Sequence, residues 1–98
     1  IQPVITKPAS SSYLHLNASG TTTAKSGAGV LRRIVINTRG GIINTLTIYD
    51  NTTATGAVIG VVDTVAAGGA FNYELDFTTG LTVVLAGGTA ADITIIYE

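Results

Sequence analysis

The chain has 98 residues, with six acidic and five basic side chains, a formal net charge of −1 and only 11% charged residues. That length suits one domain, and that charge excludes both the basic footprint of a nucleic-acid binder and an acidic tail. A 46% hydrophobic content excludes intrinsic disorder, while zero cysteines and one histidine remove disulfides, thiolate metal sites, cysteine nucleophiles and imidazole clusters.

The first twelve residues hold both prolines and a serine run, which disfavour a sheet interior and predict an extended N-terminal arm over residues 1–12. Val4 and Ile5 are apolar points that could dock such an arm on this domain or on a neighbouring subunit. A frayed terminus is the plainer reading. Because the chain begins with Ile rather than Met, we expect its true start to lie upstream. No stretch reaches the roughly 18 uninterrupted apolar residues of a membrane span, and the chain reads as soluble.

From residue 13 onward, runs rich in Val, Ile, Thr, Leu and Tyr alternate with clusters of Gly, Ser, Asn and Ala, which is the punctuation of short strands. The predicted strands are Tyr13 to Asn17, Thr21 to Lys25, Val30 to Asn37, Thr45 to Asp50, Val58 to Thr64, Ala70 to Thr78, Leu81 to Leu85 and Asp92 to Tyr97. Of the 12 glycines, only Gly60 lies outside a break. Helical spacing is sustained nowhere.

Alternation assigns faces within these strands. Phe71, Tyr73, Leu75 and Phe77 share one side, as do Leu46 with Ile48, Ile34 with Ile36, and Ile93 with Ile95. These ten residues are the expected core. Leu31 and Val35 fall on the face of Arg33, and Tyr49, Val84 and Ile96 are apolar residues on otherwise polar faces. Eight half-buried antiparallel strands predict an all-β, two-sheet sandwich of jelly-roll type over residues 13–98. An up-and-down barrel and an immunoglobulin-like sandwich are the alternatives, the latter weakened by the absence of Trp and of a cysteine pair. A domain of this size buries only about 60–65% of its extended-chain surface, which favours oligomerisation. Candidate interface residues are Val4, Ile5, Arg32, Arg33, Arg39, Tyr49, Val84 and Ile96.

Residues able to carry chemistry are few. His15 would need a nucleophile and an orienting carboxylate to act as a general base, and no Gly-x-Ser-x-Gly elbow occurs. A surface or interface histidine is the simpler reading. Glu74 and Asp76 project from one face of a strand, roughly 6.5–7 Å apart at Cα, a spacing compatible with a paired-carboxylate glycosidase. A sugar cleft needs aromatic walls, and the chain has no Trp, four Tyr and two Phe. The acids suit a solvated sheet face, or contact with Arg32, Arg33 or Arg39 of a neighbour. Asp50-Asn51-Thr52-Thr53 offers oxygen ligands without the spacing of a calcium loop, so Asx turns explain it. No phosphate-binding glycine motif is present. Three arginines in a net-acidic domain give only weak, salt-sensitive nucleic-acid contact. The expectation is therefore a protein without catalytic residues, metal or cofactor, and with neither nucleic acid nor membrane as a partner.

The stretches Ser26-Gly27-Ala28-Gly29-Val30-Leu31, Ile34-Val35-Ile36-Asn37-Thr38, Leu46-Thr47-Ile48-Tyr49-Asp50-Asn51, Thr79-Gly80-Leu81-Thr82-Val83-Val84 and Gly88-Thr89-Ala90-Ala91-Asp92-Ile93-Thr94 carry a resemblance. Over about Ser12 to Glu98 the chain resembles small β-rich virion structural proteins of tailed bacteriophages. The resemblance implies a capsid decoration, or cement, protein on the outer surface of the head. It further implies a homotrimer partnered by the major capsid protein. An adhesin or host-glycan-binding domain of a fibre or tail is the alternative, with Tyr13 and Tyr49 as its aromatic platforms.

Overall fold

The computed structural model describes residues 11–66 and 68–98. Eight strands follow in order: β1 (Ser12–Leu16), β2 (Gly20–Ser26), β3 (Gly29–Thr38), β4 (Thr45–Tyr49), β5 (Val58–Asp63), β6 (Gly69–Phe77), β7 (Gly80–Ala86) and β8 (Asp92–Tyr97). Among the described residues there is no helix. Every strand lies within one residue of its predicted bounds, because β-branched runs between Gly- and Ser-rich breaks leave the backbone little choice. β1 begins at Ser12, one residue inside the expected arm. Val4 and Ile5 lie outside the described residues.

The strands form two antiparallel sheets of four, ordered β1-β8-β3-β6 and β2-β7-β4-β5. The pairs β1–β8, β2–β7, β3–β6 and β4–β5 are those of one long hairpin with its turn between β4 and β5. Rolling that hairpin sends its outer pairs alternately to the two sheets, and only β4 and β5 remain consecutive neighbours in one sheet. The fold is an all-β jelly-roll sandwich.

The two inner faces share one core. Leu31, Ile34, Ile36, Ile93 and Ile95 come from the first sheet, and Leu46, Ile48, Leu81, Val83 and Leu85 from the second, with Phe77 closing one side. Strict alternation holds in β4, where Leu46 and Ile48 are buried between half-exposed neighbours.

Two residues depart from the predicted pattern. Leu31, expected beside Arg33 and Val35, is fully buried. Against β8, the register of β3 slips between Leu31 and Arg33, so Arg32 is an inserted bulge residue that turns Leu31 inward with Ile34. Leu75, expected in the core, is 41% exposed. It lies on β6, at the edge of its sheet, next to Glu74, whose φ of 49° is left-handed and breaks the regular pleat.

Phe71 and Tyr73 are half-buried against the core from this same edge. Tyr73 crosses to the second sheet over Gly60, where an added Cβ would lie 2.9 Å from the phenol oxygen. Gly60, the one glycine that lies within a strand and not at its first residue, thus makes room for an aromatic ring. Phe77→Ala should cost about 3–5 kcal/mol in denaturant unfolding, and the half-buried Phe71→Ala measurably less. Equal losses for the two would contradict this placement of the core.

Candidate interaction surfaces

One end of the sandwich is organised by a single side chain. Asn44 is fully buried in the loop between β3 and β4. Its Nδ2 donates to the carbonyls of Ala86 (3.1 Å) and Gly87 (3.3 Å), and its Oδ1 accepts from the Ala91 backbone N–H (3.1 Å) and the Thr64 hydroxyl. The Asn44 carbonyl accepts from the Thr64 N–H at 3.0 Å. One residue therefore ties together the loops that follow β3, β5 and β7. Gly41 and Thr89 add a reciprocal pair of backbone bonds of 2.9 and 3.0 Å, and Gly40 donates to the Thr64 carbonyl at 3.2 Å.

Above this base stand Ile42 and Ile43, 83% and 70% exposed. Ile42 has a φ of 67°, a left-handed conformation that costs a β-branched residue about 1–3 kcal/mol. Gly88 lies directly beneath, where a Cβ would come within 2.9 Å of the Ile42 Cβ.

At the opposite end, Asp50 accepts from three successive backbone N–H groups, those of Thr78 (3.0 Å), Thr79 (2.8 Å) and Gly80 (3.4 Å). This small anion cradle is filled by the protein's own carboxylate. The N–H bonds from Thr79 and Thr78 hold the Asp50 carboxyl below its ordinary value. The Asx turn expected here is not formed: Asp50 is taken up by the cradle, and Asn51 Oδ1 accepts from the adjacent Thr52 N–H at 2.8 Å, whereas the bond two residues on is made at Asp63, whose Oδ1 accepts from the Val65 N–H at 3.0 Å.

The polar residues weighed for chemistry fall into two clusters on the first sheet. In the first, His15 Nε2 lies 2.7 Å from Asp92 Oδ1, and Asn37 Nδ2 donates to Asp92 and to Thr94 Oγ1, both at 3.0 Å. Bonds from Asn37 and then His15 lower the Asp92 pKa. The second cluster centres on Arg32, whose Nε donates to Glu98 and whose Nη1 donates to Glu74 at 2.6 Å. Those bonds, Glu98 foremost, raise the guanidinium pKa further. Glu74 thus meets an arginine of its own chain, while Asp76 is exposed. Among the described residues no group of three His, Cys, Asp or Glu is placed to hold a metal ion.

The interface candidates separate onto two opposite faces and one end. Cross-strand partners share a face. On the first sheet, Tyr13 pairs with Ile96, and Ile96 with Arg33. On the second, one row runs Thr21, Val84, Thr47, Val61 and the next runs Thr23, Thr82, Tyr49, Val58. Tyr49 and Val84 are half-exposed there, and Val58 and Val61 are 51% and 62% exposed. Arg39 is exposed in the loop that carries Ile42, and Arg32 is engaged as described. Sequence reasoning missed Ile42, Ile43, Val58, Val61 and Asn44. The signal for the first two was an Ile pair set between Gly40-Gly41 and Asn44, outside both strands.

No family model matches the chain, and no curated protein sequence matches it either. Among solved structures it is similar to the core of Drosophila NLP, a structure described for its insight into pentamer formation and histone binding. The two chains are 17% identical, with a TM-score of 0.59 over 92% of this chain and 97% of that one. The likeness is one of fold.

Removing the Asn44 amide leaves several buried groups unpaired, so Asn44→Ala should destabilise the protein by about 3 kcal/mol in denaturant unfolding. Asp50 carries a lowered pKa when folded, so its contribution is complete above the ordinary value of 3.8 and lost as pH falls through the lowered one. Asp50→Asn should therefore melt lower than wild type at neutral pH and lose less stability on acidification below about pH 4. Parallel melting curves for the two proteins across that range would contradict the clasp.

Proposed function

We propose that this chain is a non-enzymatic structural protein of a bacteriophage virion, a decoration protein that self-associates and stabilises the outer surface of the head. The observation that supports it is the outer face of the second sheet. Two cross-strand rows there carry only Thr, Val and Tyr side chains, Thr82 being buried beneath the Asn51 carbonyl, and the adjoining row of Thr45, Ala86 and Asp63 adds one exposed carboxylate at the sheet's edge. Those two rows bring no charge into a contact with a copy of themselves, and a net charge of −1 leaves little repulsion between copies. The small core stands to gain stability from that burial.

A trimer is the assembled unit in this reading, and engagement of several subunits with a symmetric shell turns weak contacts into tight attachment. Pentamer formation by the NLP core is a precedent for self-assembly through a sandwich of this fold. The His15 and Glu74 clusters serve structural ends, the one fastening β1 to β8 and the other bracing the bulge at Arg32. His15→Ala and Glu74→Gln therefore leave the biological activity intact.

Sedimentation velocity should show a trimer for the wild type, and Val61→Lys, at an exposed site, should yield a folded monomer. Particles that lack the protein should lose infectivity at lower temperature than the parent. A wild-type monomer together with unchanged heat resistance of such particles would overturn the proposal. Glycan binding by that monomer, abolished by Tyr13→Ala, would favour a fibre or tail adhesin domain instead.

A further inference from the structure

The Ile42–Ile43 tip combines exposure, strain and rigidity. Exposed apolar residues scattered singly need no explanation, but these two are adjacent and project from a braced loop. The strain is not forced by a shortage of glycine. Gly40 and Gly41 stand immediately before Ile42, yet the left-handed conformation falls on the β-branched residue. Asn44 and the Gly41–Thr89 bridge over-determine that conformation from below. An apolar group held in one strained orientation loses little entropy when it binds.

The surroundings define what it fits. Residues 39–44 and 87–91 carry one charged side chain, the exposed Arg39, amid Gly, Ala and Thr, and the carboxylate of Asp63 at the same end is turned onto its own loop, accepting from the Val65 and Ala66 N–H groups. The complement is an apolar socket with an acidic residue on its rim. Size argues against a second copy as the occupant, since a stable interface takes about 20–30 residues a side and this tip has six. A few residues seated in a pocket do suffice as an anchor when several subunits engage at once.

We propose that the Ile42–Ile43 tip is a preformed apolar plug that seats in an acidic-rimmed apolar socket on the protein surface of the capsid shell. This rests on the decoration reading above. Purified wild-type protein should bind particles that lack it. The double variant Ile42→Ser/Ile43→Ser should bind at least about tenfold more weakly while melting normally, because each buried isoleucine is worth about a factor of ten or more. Ile42→Gly, which relieves the strained φ and is safe for folding, should bind more weakly yet melt no lower than wild type. Arg39→Glu should weaken binding in a salt-dependent manner.

If wild-type protein leaves the particles bare, the decoration reading falls and this inference with it. If the wild type binds and the Ser variants bind equally well, the decoration reading stands and the plug is overturned. Loss of the trimer in the double variant would place the tip in a self-interface and overturn it too. So would binding to phosphatidylcholine–phosphatidylglycerol vesicles that the Ser variants lose.

Discussion

The buried amide of Asn44 is the point through which one end of the molecule is built. A jelly roll sends the connections after β3, β5 and β7 to the same end, and none of them is long enough to carry a core of its own. Their backbone polar groups need partners as the sheets close over them. Asn44 supplies two donors and two acceptors in one plane, and all of them are used. Among the described residues no buried side-chain nitrogen or oxygen is left without a partner. A polar group so fully satisfied fixes one arrangement, because any alternative leaves several groups unpaired in a low dielectric.

The other end is closed by different means. Asp50, at the end of β4, reaches the turn between β6 and β7, and so links the hinge of the rolled hairpin to its flank. Gly60 and Tyr73 join the two sheets along the β5–β6 edge. Arg32 gathers Glu74 of β6 and Glu98 at the chain's end over the bulge. These polar ties are exposed or half-exposed, and they locate the strands more than they stabilise them. The free energy of folding resides in the apolar inner faces, while the polar contacts choose among their packings.

Most of this architecture was legible in the sequence. Period-two patterns set the strands, and the buried residues of β4 and β8 followed from alternation alone. Leu31 was misassigned because a bulge adds one residue without leaving a compositional mark, and every assignment beyond it shifts by one face. Leu75 was misassigned because the same alternation describes a central strand and an edge strand, and strand order is not a local property. Asn44 escaped notice, and Asp50 was read as part of a local Asx turn, for a related reason. The side-chain partners of Asn44 lie 20 to 47 residues away and those of Asp50 28 to 30, and nothing in their own neighbourhoods marks them. Gly60 was the exception that pointed inward: a glycine inside a strand signals a close approach, and Tyr73 makes it.

The outer faces and the loop end turn this scaffold toward assembly. A Thr- and Val-rich sheet face with two uncharged rows on one side and a braced isoleucine pair at one end are features that folding alone does not require. The most direct measurement of the account is electron cryomicroscopy of the virion that carries this chain. The account predicts sandwich-shaped density in symmetric clusters on the outer head surface, with residues 39–44 against the shell and the second sheet's outer face between copies. Density confined to a tail or fibre, or clusters with residues 39–44 pointing into solvent, would contradict it.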